Sequence, residues 1–234
     1  MGKLIEAGKI RGYGSCNDNA VGLMGLAAAA KRQGVPGPCT MQGDYSILNR
    51  RSEENGLSEA SSPDLENCGW MAYNVLAGGV LTNKYDASGG APAAPDDPQR
   101  DRAMSTIANP RGRMDDLSWG RTLYRYRTAA AGEATREYAK LAAGNGMSLS
   151  EMAQRWAAGR RFCTTSLVGH TSLAQLDESL AAFRAAAKVS IVPLVDGAVQ
   201  SPQLYRASLL PLGCRQGEFL IFSESFTMFC RLQV

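Results

Sequence analysis

The strongest constraint on the fold of this chain is the order of its apolar segments. Short runs that read as strands are each followed by a stretch of helical period. The candidate strands are KIRGYGSCN (Lys9–Asn17), CTMQGDYSILN (from Cys39), GWMAYNVLAGG (from Gly69) and FCTTSLVG (from Phe162). Between them lie AVGLMGLAAAAKRQG, with Ala20, Leu23, Met24, Ala27 and Ala30 at helical spacing and Gly34 as stop, then a short polar helix-and-turn region, then two longer helices. Ser148 with Glu151, and Ser172 with Gln175, stand at capping-box spacing ahead of helices. The last helix carries Leu173, Leu176, Leu180 and Phe183 on one face. Four strand–helix repeats argue for βα units and a parallel sheet, hence an α/β fold.

The ends fit this pattern less simply. MGKLIEAGKIRG reads as the end of a helix stopped at Gly8, so the chain begins as if in mid-architecture. Residues 86–118 are rich in Gly, Pro, Ala and Asp, and a loop of that length in a compact domain is expected to be a lid or an insert. From Ser190 onward neither helical nor strand period holds. The apolar run EFLIFSESFTMFC still needs burial or a partner, and residues 189–234 are left as an unplaced tail.

Composition removes several function classes. A net charge of +3 from 25 basic and 22 acidic residues is too mild for a nucleic-acid partner. No apolar run approaches the length of a membrane span. Six scattered cysteines without a CxxC pair, and a single histidine, argue against zinc and for free thiols in a reducing, cytoplasmic compartment. Nothing in the sequence lowers the pKa of Cys16, which reads as an inert small residue, and the acidic residues show no spacing that argues acid/base work.

The stretch MAYNVLAGGVLTNKY (Met71–Tyr85) raises the question of chemistry. Its residues alone read either as a strand running into a phosphate loop or as a buried strand with a glycine turn. Together with EAGKIRGYGSCN, MQGDYSILNR and SLVGHTSLAQLDESLAAF, in that order, it resembles the aldo-keto reductases, most of all the branch with the potassium-channel beta subunits. The resemblance covers roughly residues 3–187. It implies a partial (β/α)8 TIM barrel over 1–188, about strands five to eight with their helices, and NADPH bound at the C-terminal strand ends.

Carried over by that resemblance, Asn17 and Gln42 hydrogen-bond the nicotinamide carboxamide, and Tyr73 stacks on the ring. Asn74, Leu76, Gly78, Thr82 and Lys84 lie along the pyrophosphate. Gly169, Thr171, Gln175 and Glu178 hold the adenosine end at a helix N-terminus, and Arg121 is a further cofactor contact after the long loop. The chain departs from the family pattern in Cys16, in Asn74-Val75, in Ser179 and in His170. The family's catalytic tyrosine, lysine, aspartate and histidine come from the first half of the barrel, so no catalytic residue is assigned in this chain. The expectation is a cofactor cradle for hydride transfer with a small carbonyl substrate, inactive by itself. The alternative is a non-catalytic nucleotide-binding or protein-interaction remnant. Four strands taken from a closed barrel leave open edges, so self-association or pairing with an N-terminal half is also expected.

Overall fold

The computed structural model describes residues 1–85, 112–114, 123–126, 128–198, 218–223 and 226–230. Helix α1 (Gly2–Glu6) leads through Gly8, at φ 65°, into β1 (Gly12–Cys16). Helix α2 (Ala20–Arg32) is capped by Asn19, whose side chain accepts from the Gly22 N–H at 2.9 Å, and Gly34 at φ 65° lets the chain turn away. Strand β2 (Thr40–Asp44) is followed by two single-turn helices, α3 (Arg51–Glu54) and α4 (Leu57–Ala60), hinged at the left-handed Gly56. Strand β3 (Gly69–Tyr73) runs into a 3-10 segment at Ala77–Thr82, and a further 3-10 turn stands at Tyr124–Tyr126. Helices α5 (Ala129–Gly144) and α6 (Leu149–Ala158), strand β4 (Cys163–Ser166), and helices α7 (Leu173–Ala186) and α8 (Val192–Ala198) follow. A hairpin, β5 (Glu218–Ser223) and β6 (Phe226–Cys230), completes the described chain.

Strands β1 to β4 pair in parallel and in chain order, and β5 joins antiparallel on the free side of β1, giving β4-β3-β2-β1-β5-β6. The parallel order never reverses. With right-handed crossovers, that places the connecting helices on one face and leaves the other face as an inner surface. Alternation along the strands agrees. Met41, Trp70 and Ala72 enter the helix-side core with Leu23, Tyr45, Trp156 and Tyr138, while Gln42, Asp44, Met71 and Tyr73 take the opposite face. A register shift between Trp70 and Met71 leaves Thr164 unpaired in the ladder, and its hydroxyl accepts the Trp70 N–H at 3.0 Å instead.

Three expectations change. The third strand stops at Tyr73, two residues before the alternation in the sequence ends, because Asn74 turns left-handed at φ 58° and Val75 plugs the core. Helix α7 does not bury its leucine face: Leu173, Leu176 and Leu180 are 79%, 38% and 41% exposed, whereas Ser179 and Ala182 are buried. The small residues permit close packing on α6, and β4 is the last strand on that side of the described sheet. The segment after Ser190 is not shapeless, since α8 forms with Pro193 in its first turn, where the absent N–H costs nothing. The long loop expected over 86–118 lies outside the described residues except for 112–114, where Met114 is buried and its N–H donates to the Tyr85 hydroxyl at 3.1 Å.

Candidate functional site

The C-terminal ends of β1, β2 and β3 are knitted together. Asn17, at φ 57°, reverses the backbone just beyond β1, and its N–H donates to the Gln42 carbonyl at 2.9 Å. Asparagine tolerates this left-handed region better than most residues. The Tyr73 hydroxyl donates to Asn17 Oδ1 at 2.6 Å, and the Cys16 thiol donates to Gln42 Oε1 at 3.4 Å. Gln42 is buried while Asn17 is exposed, so this end presents one fixed amide and one at the surface. Asn17, Gln42 and Tyr73, which belong to three different sequence motifs, therefore form one cluster at the ends of three strands.

A neighbouring network escaped the sequence. Asp44, at the end of β2, accepts from the Tyr126 hydroxyl at 2.6 Å and forms an ion pair with Arg125. Burial pushes the Tyr126 hydroxyl up to about 12, with Arg125 working in the opposite direction, so it stays a proton donor to the carboxylate. These partners are 81 and 82 residues apart, and no local pattern marks them.

Beyond β3 the glycine segment coils into a tight turn. The Asn74 carbonyl accepts from Ala77 N–H at 2.6 Å, and the Leu76 carbonyl from Gly79 N–H at 2.8 Å and Leu81 N–H at 3.2 Å. Gly78 at φ 67° is buried, and a Cβ there would sit 2.7 Å from Leu123 Cδ1. The Thr82 hydroxyl donates to the Gly79 carbonyl at 2.8 Å, inside the turn itself. Lys84 is exposed, with Nζ 5.1 Å from the Tyr85 ring centroid. Gly78 and Thr82 thus have structural duties here, and Lys84 is the exposed basic member of the segment.

At the end of β4, Gly169 and Thr171 are exposed. Ser172 caps α7 by accepting the Gln175 N–H at 3.3 Å, while Gln175 Oε1 accepts from Thr171 N–H and Oγ1 at 2.9 and 3.2 Å. His170 Nε2 and Ser179 Oγ are 2.8 Å apart. Glu178 accepts from the Ser148 hydroxyl at 2.9 Å and from Ser150, which ties α7 to the start of α6. Arg113, which the sequence reading passed over, brings Nη2 to 3.6 Å from where a Cβ on Gly169 would stand. Its signal was hidden because it arrives from the long loop. Arg121 lies outside the described residues.

Among the described residues no group of three or more His, Cys, Asp or Glu is placed to hold a metal, and no helix is long and apolar enough to cross a membrane. The model of the aldo/keto reductase family matches residues 1–197. The chain belongs to that family. An aldo-keto reductase of Babesia bovis is 30% identical over 184 residues, covering 76% of this chain and 56% of that protein. Protein tas of Escherichia coli (strain K12) is 30% identical over 175 residues, covering 75% of this chain and 44% of its own. Protein tas of Shigella flexneri matches to the same extent. The chain spans about half the length of the curated relatives it matches. The match runs through α8, past the point near residue 188 where the sequence motifs give out.

Proposed function

We propose that this member of the aldo/keto reductase family supplies the NADPH cradle of a carbonyl oxidoreductase, and that it corresponds to strands five to eight of the (β/α)8 barrel. The observation that carries this reading is the three-strand cluster of Asn17, Gln42 and Tyr73, joined at 2.9 and 2.6 Å on the inner face. The donor set suits the cofactor. Amide groups pair with a carboxamide, since each donates and accepts, and Tyr73 adds an aromatic surface beside them. About the Gly169 loop and the turn after β3, Arg113 and Lys84 offer positive charge to phosphates. When bound, NADPH supplies the hydride for reduction of an aldehyde or ketone, or accepts it in reverse.

The residues of this chain orient the cofactor. Asn17 and Gln42 select which nicotinamide face is presented, and the Asp44–Tyr126–Arg125 network holds the end of β2 in place beneath them. Catalytic acid–base groups are assigned to the first half of the barrel, in a longer gene product or a partner chain. The chain alone therefore binds NADPH and does not turn over. A second reading, a remnant that acts through protein contacts, is favoured by the leucines of α7 exposed beside the open β4 edge.

NADPH titration monitored by tryptophan fluorescence, with a light-scattering mass on the same sample and an aldehyde panel added afterwards, tests the proposal. Saturable binding without turnover is expected. Turnover above background by this chain alone would overturn the assignment of catalysis elsewhere. A well-folded species that binds no NADPH would overturn the cradle and leave the protein-contact reading.

A further inference from the structure

At the opposite end of the sheet from the cofactor cluster, two thiols come side by side. Thr40 of β2 and Gly69 of β3 are partners in the parallel ladder, and the Gly69 N–H donates to the Cys39 carbonyl at 3.0 Å. Carrying the register back by one residue sets Cys39 opposite Cys68. Neighbouring strands run about 4.8 Å apart, and a disulfide spans Cα separations of about 4.4–6.8 Å. Cys39 is exposed and Cys68 is buried. The Cys68 thiol donates to the Pro38 carbonyl at 2.9 Å, so its sulfur rests against the β2 backbone one residue before Cys39. The Cys39 thiol donates to the Tyr13 carbonyl at 3.2 Å, toward β1. Burial first, and then the charge of the neighbouring Cys39, push the Cys68 thiol up to about 11. Cys16 lies at the far end of β1, and Cys163 at the start of β4, opposite Trp70.

We propose that Cys39 and Cys68 are a redox pair, closing to a cross-strand disulfide when the chain meets a peroxide. Cys39 is the sulfur that solvent reaches. Its thiolate attacks one oxygen of hydrogen peroxide, the O–O bond breaks, and hydroxide leaves to take up a proton as water. The resulting Cys39 sulfenic acid turns about its Cα–Cβ bond from Tyr13 toward β3. The Cys68 thiol attacks Cys39 Sγ, the S–O bond breaks, and the thiol proton joins the departing hydroxide, which leaves as a second water. In sum two thiols and one peroxide give one disulfide and two waters, with sulfur oxidised and peroxide reduced. The bridge encloses α3 and α4 and staples β2 to β3, the strands that carry Gln42 and Tyr73 at their other ends.

The test uses the purified full chain, treated with stoichiometric hydrogen peroxide, alkylated, digested without reductant and mapped by mass spectrometry. Expected is one species joining the Cys39 and Cys68 peptides, two hydrogens lighter than their sum and lost on treatment with dithiothreitol. The count of titratable thiols falls from six to four. In Cys68→Ser, Cys39 accumulates as a sulfenic acid that dimedone traps. In Cys39→Ser, Cys68 stays open to alkylation after denaturation. Oxidation of Cys39 to sulfinic acid with Cys68 still alkylatable overturns the pairing. So does equal linkage to Cys16, Cys163, Cys214 or Cys230, or a parent chain that peroxide leaves with six thiols.

Discussion

Replacing Asp196 tests how the segment beyond residue 190 is held to the rest of the chain. Its carboxylate sits on α8 and meets Arg50 Nη1 at 2.6 Å, the Trp156 indole N–H at 3.0 Å and Arg160 Nη1 at 2.5 Å. The two guanidinium carbons flank the Trp156 ring at 4.5 and 5.3 Å from its centroid. Removing one partner of a fully buried pair costs about 3–5 kcal/mol. The Asp196 side chain is 35% exposed, so solvent screens part of that loss, although Arg50 is only 9% exposed. An Asp196→Ala variant is therefore expected to lose about 2 kcal/mol, within the range for hydrogen bonds to charged groups. In a chain of this size that is a fall of about 4–8 °C in Tm, or a lower urea midpoint with an unchanged m-value.

The pH dependence adds a second arm. Burial by itself would raise the Asp196 carboxyl, but the Trp156 N–H and the charges of Arg50 and Arg160 outweigh it and hold the group below its ordinary value of 3.8. A depressed native pKa gives stability that is fully present above the ordinary value and lost as pH falls through the native one. The gap between the parent and Asp196→Asn is thus widest near neutrality and closes in acid below the carboxylate range. An Asn variant as stable as the parent at pH 7, or a gap that does not narrow in acid, refutes the reasoning.

Other substitutions probe the site itself. Gly78→Ala combines a left-handed φ of 67° with a Cβ 2.7 Å from Leu123, and is expected to cost about 1–3 kcal/mol in chemical denaturation. Unchanged stability would show that the turn can relax. Tyr73→Phe removes the 2.6 Å donation to Asn17, and NADPH affinity should fall by about 0.5–1.5 kcal/mol in a fluorescence titration. An equal affinity would separate Tyr73 from the cofactor cluster. Arg113→Ala, beside Gly169, should raise the NADPH Kd by about tenfold, the scale of one charge-assisted hydrogen bond. The loss should shrink as salt rises, and a loss independent of salt would count against a phosphate contact.

Much of the local framework was legible because its causes are local. Ser148 and Ser172 announce their helices by side chains that accept N–H groups three residues on, and the structure shows both bonds, at 3.0 and 3.3 Å. The capping-box partner of Ser172 is used differently: Gln175 reaches back to Thr171 rather than to Ser172. Gly8 and Gly34 mark stops through left-handed backbone that a side chain resists. The candidate cofactor residues could be named one by one only through the family resemblance. That Asn17, Gln42 and Tyr73 touch depends on strand register, which joins residues 56 apart.

What the sequence determined by itself was the alternation of strand and helix, the punctuation between them and the family, since each is written in neighbouring residues. The tertiary structure decided which side chains share an environment. It placed Asp196 between Arg50 and Arg160, Asp44 beneath Tyr126, and Arg113 beside Gly169. It also turned α7 so that Ser179 and Ala182, not the leucines, face the protein. The physical reason is common to all of these. Hydrogen bonds within a turn depend on spacing along the chain, whereas charge pairing and close packing depend on distances that exist only after strands distant in sequence have been laid side by side.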